Sequence, residues 1–246
     1  MRRWLLPAAV LLLTASPAAA QTVDLGSLIP AGGTSASARI VEMVALLTVL
    51  SIAPGLLIMA TSFTRFIIAL SFLRSGLGVQ SAPANLVLIS LALFMTFFVM
   101  APTFDKAWET GLKPMLDNKI SQTEALTAIE QPFREFMLSQ VRDKDIALFE
   151  SLSKGRFDAG PRDRVDLRLL LPAYMISELR RGFEIGFLIV LPFLVIDMIV
   201  TTLTMSMGMM MLPPSVISLP VKILFFVLID GWNLLVGSLV RSTMGG

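Results

Sequence analysis

Cysteine and histidine are both missing from this 246-residue chain, and charged residues make up only 15% of it. Without thiols or imidazoles, the chain cannot build a Cys–His zinc site, a thiol nucleophile, a histidine-based triad or a disulfide. A soluble domain carries nearer a quarter of charged residues, because it faces water on all sides. With 55% apolar residues and a mean hydropathy of +0.77, the composition indicates a membrane protein.

The charge balance gives little support for a nucleic-acid partner. Lys and Arg number 20 against 18 Asp and Glu, a net charge of +2. Arg2 and Arg3 lie in a segment that we expect to be removed, which would leave 18 charges of each sign. A basic field that could bind nucleic acid is therefore not expected.

The first twenty residues have the three parts of a secretory signal peptide. Two arginines precede an apolar stretch, and small residues follow up to Ala20. Cleavage is expected between Ala20 and Gln21, which would place the mature N-terminus outside the cytoplasm. The alternative is an uncleaved anchor, for which the apolar stretch is short compared with a span of about 20 residues.

Four apolar runs follow, and each is long enough to cross a bilayer core of about 30 Å as a helix. No alternating strand pattern is present, so the fold class is all-α: a membrane protein of two long kinked helical hairpins plus a helical extracytoplasmic domain. The predicted organisation begins with a signal peptide at 1–20 and a flexible lead-in at 21–38. A first hairpin at 39–104 contains the apolar runs 43–63 and 86–104, and a polar periplasmic domain follows at 105–171. A second hairpin at 172–246 contains the runs 185–204 and 215–240 around a methionine-rich turn at 205–214.

Helical character continues beyond the length that a membrane span requires. It can be followed over 43–75 and over 172–204, which at the standard rise is roughly 50 Å for each helix. Such helices project from the membrane or are wrapped by protein. Arg65 and Arg74, with no acid in the connection 64–85, favour a cytoplasmic location for that connection.

The segment 105–171 is the water-facing part, with 12 acidic and 11 basic residues. Ser121 and Glu124 have the spacing of a capping box at a helix N-terminus. Pro132 is expected to open a second helix, Asp143 or Asp145 to cap a third, and Pro172 to start the following helix.

Two charged residues flank the methionine-rich turn at equal distance. A hairpin centred between 209 and 210 would bring Asp197 and Lys222 together as a structural ion pair. A proton relay through the same pair is the functional alternative. Asp197 and Asp230 could also form a shared-proton protease dyad, but neither acid has a second motif around it. P-loop and dinucleotide fingerprints are absent, so we expect no enzyme and no cofactor.

Methionine is enriched around that turn, with six residues between 198 and 211. Flexible, polarizable thioethers could form a deformable seal at a pore, or simply pack against lipid or core. Copper(I) transport through Met205, Met207 and Met209 is a third interpretation, although such sites commonly add Cys or His.

Two segments resemble a known family. PGLLIMATSFTRFIIALSFLR at 54–74 and PAYMISELRRGFEIGF at 172–187 are similar to signature blocks of the FliP family of flagellar biosynthetic proteins. This family is related to the export-gate subunit R of virulence type III secretion systems. The order of signal peptide, apolar runs, polar domain and methionine-rich turn also resembles the family over nearly the whole chain.

The resemblance implies a core subunit of the flagellar export gate in the bacterial inner membrane at the basal body. Several copies would form a ring with FliQ and FliR and pass unfolded flagellar proteins, while sitting largely above the bilayer plane. It also implies a methionine gasket in the closed pore, which falls on Met207, Met209, Met210 and Met211, with Phe187 or its neighbours as additional pore-lining positions. The alternative function is an autonomous transporter or channel for ions or small molecules.

Overall fold

The computed structural model describes residues 58–79, 83–157, 160–208 and 213–245, together with positions 40–41, 43–45, 47–48, 51 and 55. The predicted signal peptide and the flexible lead-in lie outside the described residues. The same is true of Met209, Met210 and Met211, and of many positions in the first apolar run.

Helices account for all the regular secondary structure of the described residues, as the all-α prediction requires. The described residues contain no strand. The elements are α1 (Phe63–Leu77), α2 (Asn85–Ala107), a π-helical segment (Trp108–Leu112), α3 (Lys113–Leu116), α4 (Gln122–Gln140), α5 (Asp143–Leu152), a 3-10 turn (Arg162–Arg164), α6 (Leu167–Ser206), α7 (Pro214–Leu228) and α8 (Gly231–Met244).

A turn at residues 60–62 interrupts the helix that the sequence predicts over 43–75. The Thr61 hydroxyl donates to the Ile58 carbonyl at 3.3 Å and accepts from the Phe63 amide at 3.5 Å. These local bonds compete with the helical backbone pattern. The prediction of one unbroken helix is therefore wrong here, and α1 begins at Phe63.

The apolar run 215–240 forms two helices instead of one. The axes of α7 and α8 differ by 65°. Asp230 stands at the break in the left-handed region, with φ 52° and ψ 50°. Aspartate is one of the few residues that tolerates this conformation. The next residue must be small, because a Cβ on Gly231 would lie 2.3 Å from the Phe226 ring.

The predicted capping box opens α4. The Ser121 hydroxyl accepts from the Glu124 amide, and the Ser121 amide donates to the Glu124 carboxylate at 2.8 Å. Pro132 does not open a new helix, since α4 continues through it to Gln140. Proline lacks the amide that would bond the carbonyl of Ala128, and the Thr110 hydroxyl donates to that carbonyl instead, at 3.4 Å.

Two further helix starts differ from prediction. Arg142 is the N-cap of α5, so Asp143 and Asp145 lie in its first turn, where their charge suits the helix dipole. α6 begins at Leu167, five residues before Pro172, because the Asp166 carboxylate accepts from the Arg168 amide at 2.8 Å. At 40 residues, α6 is about 60 Å long.

α1 and α6 run parallel and pack more extensively than any other pair of elements. A Cβ on Gly182 would lie 3.1 Å from Ile68, and one on Gly186 would lie 2.6 Å from Phe72. The contacts advance by four residues in both helices, so the axes share one direction. Small residues at this spacing allow close backbone approach, as in membrane helix pairs.

Candidate functional site

Arg65 forms a fully buried ion pair with Glu178 across the α1–α6 contact. Both side chains have no exposed surface. The Arg65 Nε donates to Glu178 Oε2 at 2.9 Å, and Nη2 donates to Oε1, so the pair is bidentate. Bidentate arginine–carboxylate pairs fix geometry as well as charge.

Two other helices supply the remaining partners of Arg65. Its Nη2 donates to Gln140 Oε1 of α4 at 2.9 Å. Its Nη1 donates to the Ser242 carbonyl at 2.9 Å and the Thr243 hydroxyl at 3.1 Å, both in α8. Gln140 in turn donates to the Thr243 carbonyl at 3.1 Å. One guanidinium therefore joins α1, α4, α6 and α8, and we call this group the arginine node.

Sequence reasoning missed the arginine node. It assigned Arg65 to the cytoplasmic connection 64–85, whereas the structure buries Arg65 in the first turn of α1, which continues to Leu77. Glu178 lies 113 residues later, and no local pattern links the two. A signal was present, because the segment 54–74 carries arginines and no acid, whereas the segment 172–187 carries Glu178 and Glu184 beside its two arginines.

A second polar contact joins α5 to α6. The Ser177 hydroxyl donates to Asp145 Oδ2 at 2.5 Å, and Arg142 Nε donates to the same oxygen at 2.8 Å. Burial alone would raise the pKa of Asp145, but the Ser177 hydrogen bond and the Arg142 guanidinium outweigh it, so the pKa lies below its usual value. Asp145 is therefore held as a carboxylate at neutral pH.

The structure brings Asp197 and Lys222 together. Lys222 Nζ lies 2.6 Å from Asp197 Oδ2 and also donates to the Gly76 carbonyl at 3.0 Å. The lysine is buried, whereas 38% of the Asp197 side chain is exposed. Because Gly76 is in the last turn of α1, the ammonium also satisfies a carbonyl at a helix C-terminus. Asp197 thus pairs with Lys222 and not with Asp230, which stands at the α7–α8 bend.

A cavity of about 460 Å³, lined by both polar and apolar groups, adjoins this ion pair. Ser75, Thr201 and Ser218 line it together with Asp197 and Lys222. The exposed part of the aspartate shares this cavity with hydroxyl groups, an arrangement that can hold water or a small polar solute.

Two of the predicted pore residues, Met207 and Phe187, can be placed relative to α6, as can Met205 of the copper interpretation. Met207 follows the end of α6 and is 72% exposed, and Met205 in its last turn is also exposed. Phe187 lies near the middle of α6 and is half exposed. Met209, Met210 and Met211 lie outside the described residues, which continue from Pro213.

The helices and their contacts define the class of protein. α2 with its continuation to Leu116, and α6, are each long and apolar enough to cross a membrane, and the bent α7–α8 pair meets the same test together. Over its described residues the molecule is an all-helical membrane protein, whose long helices are joined by one fully buried ion pair and by a second pair that is partly exposed.

Comparison with known proteins identifies the family. The FliP family model matches residues 46–239. Flagellar biosynthetic protein FliP of Rhizobium meliloti is 63% identical over 214 residues, which cover 87% of each chain. The FliP protein of Agrobacterium fabrum is 63% identical over 85% of each chain, and that of Bacillus subtilis is 54% identical over 82% of this chain and 91% of its own. The chain belongs to the FliP family.

Proposed function

We propose that the chain is a pore-forming subunit of the flagellar type III protein export gate, which passes unfolded flagellar proteins across the inner membrane. It acts in a ring of identical copies with FliQ- and FliR-type subunits and other export-apparatus proteins. Family membership supports a role in flagellar biosynthesis and export. The observation that carries the pore assignment is the pair of exposed methionines at the end of α6, the longest described helix.

Uncovered apolar surface supports assembly with other helices. Only 17% of the apolar span of α6 is buried. The corresponding share for α2 with its continuation to Leu116 is 39%. α2 also exposes Phe94, Phe97 and Phe98 along one side. Contiguous apolar surface of this extent needs a cover. Sister copies, partner helices and lipid supply it in the proposed gate.

The arginine node supports a division of α6 into a fixed part and a deformable tip. Arg65 holds α6 at Glu178, while Met207 lies 29 residues further along, about 44 Å at the helical rise. Only the tip is then free to deform when a chain passes. Thioether side chains suit such a seal, because they are flexible and form no sequence-specific hydrogen bonds. The gasket comprises Met207, Met209, Met210 and Met211, with Phe187 further along the same path.

The proposed orientation puts the mature N-terminus and the domain 105–171 on the periplasmic side. Because α1 and α6 are parallel, both then run from the periplasmic side towards the cytoplasm. α7 and α8 return, which places the methionine-rich turn at the cytoplasmic end of α6.

Deleting Met209–Met211 tests the gasket. We expect the assembled complex to form normally but to conduct ions, as measured by ion flux in proteoliposomes and by size-exclusion chromatography. Met198→Ala is the matched control, since Met198 is an exposed methionine of α6 that lies before the turn. A deletion variant as ion-tight as the wild type would overturn the gasket.

The same proteoliposomes distinguish the gate from an autonomous transporter, which the cavity beside Asp197 would favour. Transport of ions or small solutes by the intact chain alone, without partner subunits, would support the transporter. The gate predicts that the intact chain alone is closed and forms rings or co-purifies with small helical membrane proteins.

The Asp197–Lys222 pair has, in our proposal, the structural role of fixing the α6–α7 register. Asp197→Ala and Lys222→Ala are each expected to abolish export. The double exchange Asp197→Lys with Lys222→Asp is expected to restore most of the export. Recovery is incomplete because a carboxylate at position 222 cannot donate to the Gly76 carbonyl. If Asp197→Asn alone stops export in a fully assembled complex, a proton relay replaces this interpretation.

A further inference from the structure

A narrow crevice lies where α6, α7 and α8 meet at the bend. Its volume is about 350 Å³, and its walls include Pro192 of α6 and Phe225 of α7. Along α8 it extends from Gly231 to Arg241, about 15 Å at the helical rise. Leu234 on its wall is more than half exposed, so the crevice opens at the surface.

Arg241 stands at one end of the crevice. Its Nε donates to the Gly237 carbonyl at 3.0 Å, so the side chain folds back along α8. A Cβ on Gly237 would lie 3.1 Å from the Arg241 Nη2, at the flexible end of the side chain. No described acid forms an ion pair with Arg241, and no acid is among the residues that line the crevice.

The size of the crevice discriminates between occupants. A helix about 10 Å across fills roughly 420 Å³ in each 5.4 Å turn, so a partner helix could place less than one turn in it. An extended hydrocarbon chain is narrow enough to follow its length. An unpaired guanidinium at the end of an apolar channel complements a phosphate group, which accepts two parallel N–H hydrogen bonds from arginine.

We propose that α6, α7 and α8 form a binding site for one anionic phospholipid, whose phosphate binds Arg241 and whose acyl chain lies in the crevice towards Gly231. In this site Leu234 contacts the acyl chain. The proposal does not depend on the export-gate function, since it concerns the intact chain in any bilayer.

Photolabelling tests the site directly. The full-length protein is placed in nanodiscs that contain phosphatidylglycerol with a diazirine on its acyl chain, and labelled peptides are identified by mass spectrometry. We expect labelling to concentrate in the peptides that cover 225–241. Unlabelled phosphatidylglycerol should compete, whereas its acyl-free headgroup, glycerophosphoglycerol, should compete at least tenfold less well, because it cannot bury apolar surface.

Variants separate the headgroup contact from the acyl contact. Arg241→Gln should lower the apparent affinity for phosphatidylglycerol about tenfold or more, the size expected for a charged hydrogen bond, and Arg241→Lys should keep only part of it, because lysine retains the charge but not the two parallel N–H donors. Arg180→Gln is the control, since Arg180 is an exposed arginine of α6 that is outside the crevice. Leu234→Gln should also weaken binding, while Leu228→Gln, at an exposed position outside the lining, should not.

Three outcomes would overturn the proposal. The first is photolabelling of the Arg241→Gln variant to the same extent as the wild type, in protein that remains monodisperse. The second is competition by glycerophosphoglycerol as strong as that by the full lipid, which would indicate a surface anion contact. The third is crosslinking of residues 229–241 to a partner helix, with no lipid label there in the assembled complex.

Discussion

Removing the carboxylate of the arginine node is the sharpest test of the fold described above. Glu178→Gln leaves Arg65 charged and fully buried, with hydrogen-bond partners but no counter-charge. Breaking a buried pair by removing one partner costs about 3 to 5 kcal/mol. At about 1.4 kcal/mol per decade, the unfolding equilibrium should shift by a factor between about 150 and several thousand.

The assay is the unfolding of purified protein in mixed micelles, with increasing denaturing detergent and helicity followed by circular dichroism. Glu184→Gln is the matched control, because Glu184 pairs with Arg180 on the same helix but both side chains are about half exposed. Exposed pairs contribute about 0 to 1 kcal/mol. If Glu178→Gln is no more destabilising than Glu184→Gln, the buried node does not hold the helices together.

A charge exchange adds a second measurement to the same test. In Arg65→Glu with Glu178→Arg, the opposite charges remain adjacent, but a carboxylate at position 65 cannot donate to the Ser242 carbonyl. We therefore expect only partial recovery of stability. Full recovery would mean that the contacts of Arg65 with α8 contribute little.

Two further predictions concern the α1–α6 contact and the contact of α5 with α6. Gly186→Leu should destabilise the protein by about 1 to 3 kcal/mol in the same micelle assay, because the new side chain overlaps Phe72. Gly237→Ala should cost little, because its methyl group meets only the flexible end of the Arg241 side chain. Asp145→Asn should lower the melting temperature at neutral pH. The pKa of Asp145 is lowered in the folded state, so its contribution to stability is present above the unfolded value of about 3.9 and is lost as the pH falls through the folded value. The difference in melting temperature between Asp145→Asn and the wild type should therefore narrow below about pH 4. Asp143→Asn is the exposed control, and a gap that stays constant down to acid pH would contradict the assignment.

Local patterns predicted the features whose determinants are close in sequence. The capping box at Ser121 and Glu124 needs only four residues, and the spacing of Asp197 and Lys222 about the turn needs only a hairpin. Both pairs are in contact in the structure. In each case the chain itself limits the partners that a side chain can reach.

The predictions that failed depended on contacts from elsewhere in the chain. Pro132 was expected to begin a helix, but the Thr110 hydroxyl bonds the carbonyl that proline leaves free. Arg65 was placed in the cytoplasmic connection 64–85, because its partners lie 75 to 178 residues away. The α7–α8 bend had a local signal that was not used, since Asp230-Gly231 is a common turn dipeptide.

The arginine node also sets an order of events during synthesis. Arg65 acquires Glu178 only after 113 further residues are made, and the carbonyl of Ser242 only after 177. Until α8 emerges, a guanidinium within an apolar helix lacks part of its coordination. The growing chain therefore cannot close this junction before the last turn of α8 is translated. A C-terminal truncation within α8 should thus impair packing around Arg65 as well as α8 itself.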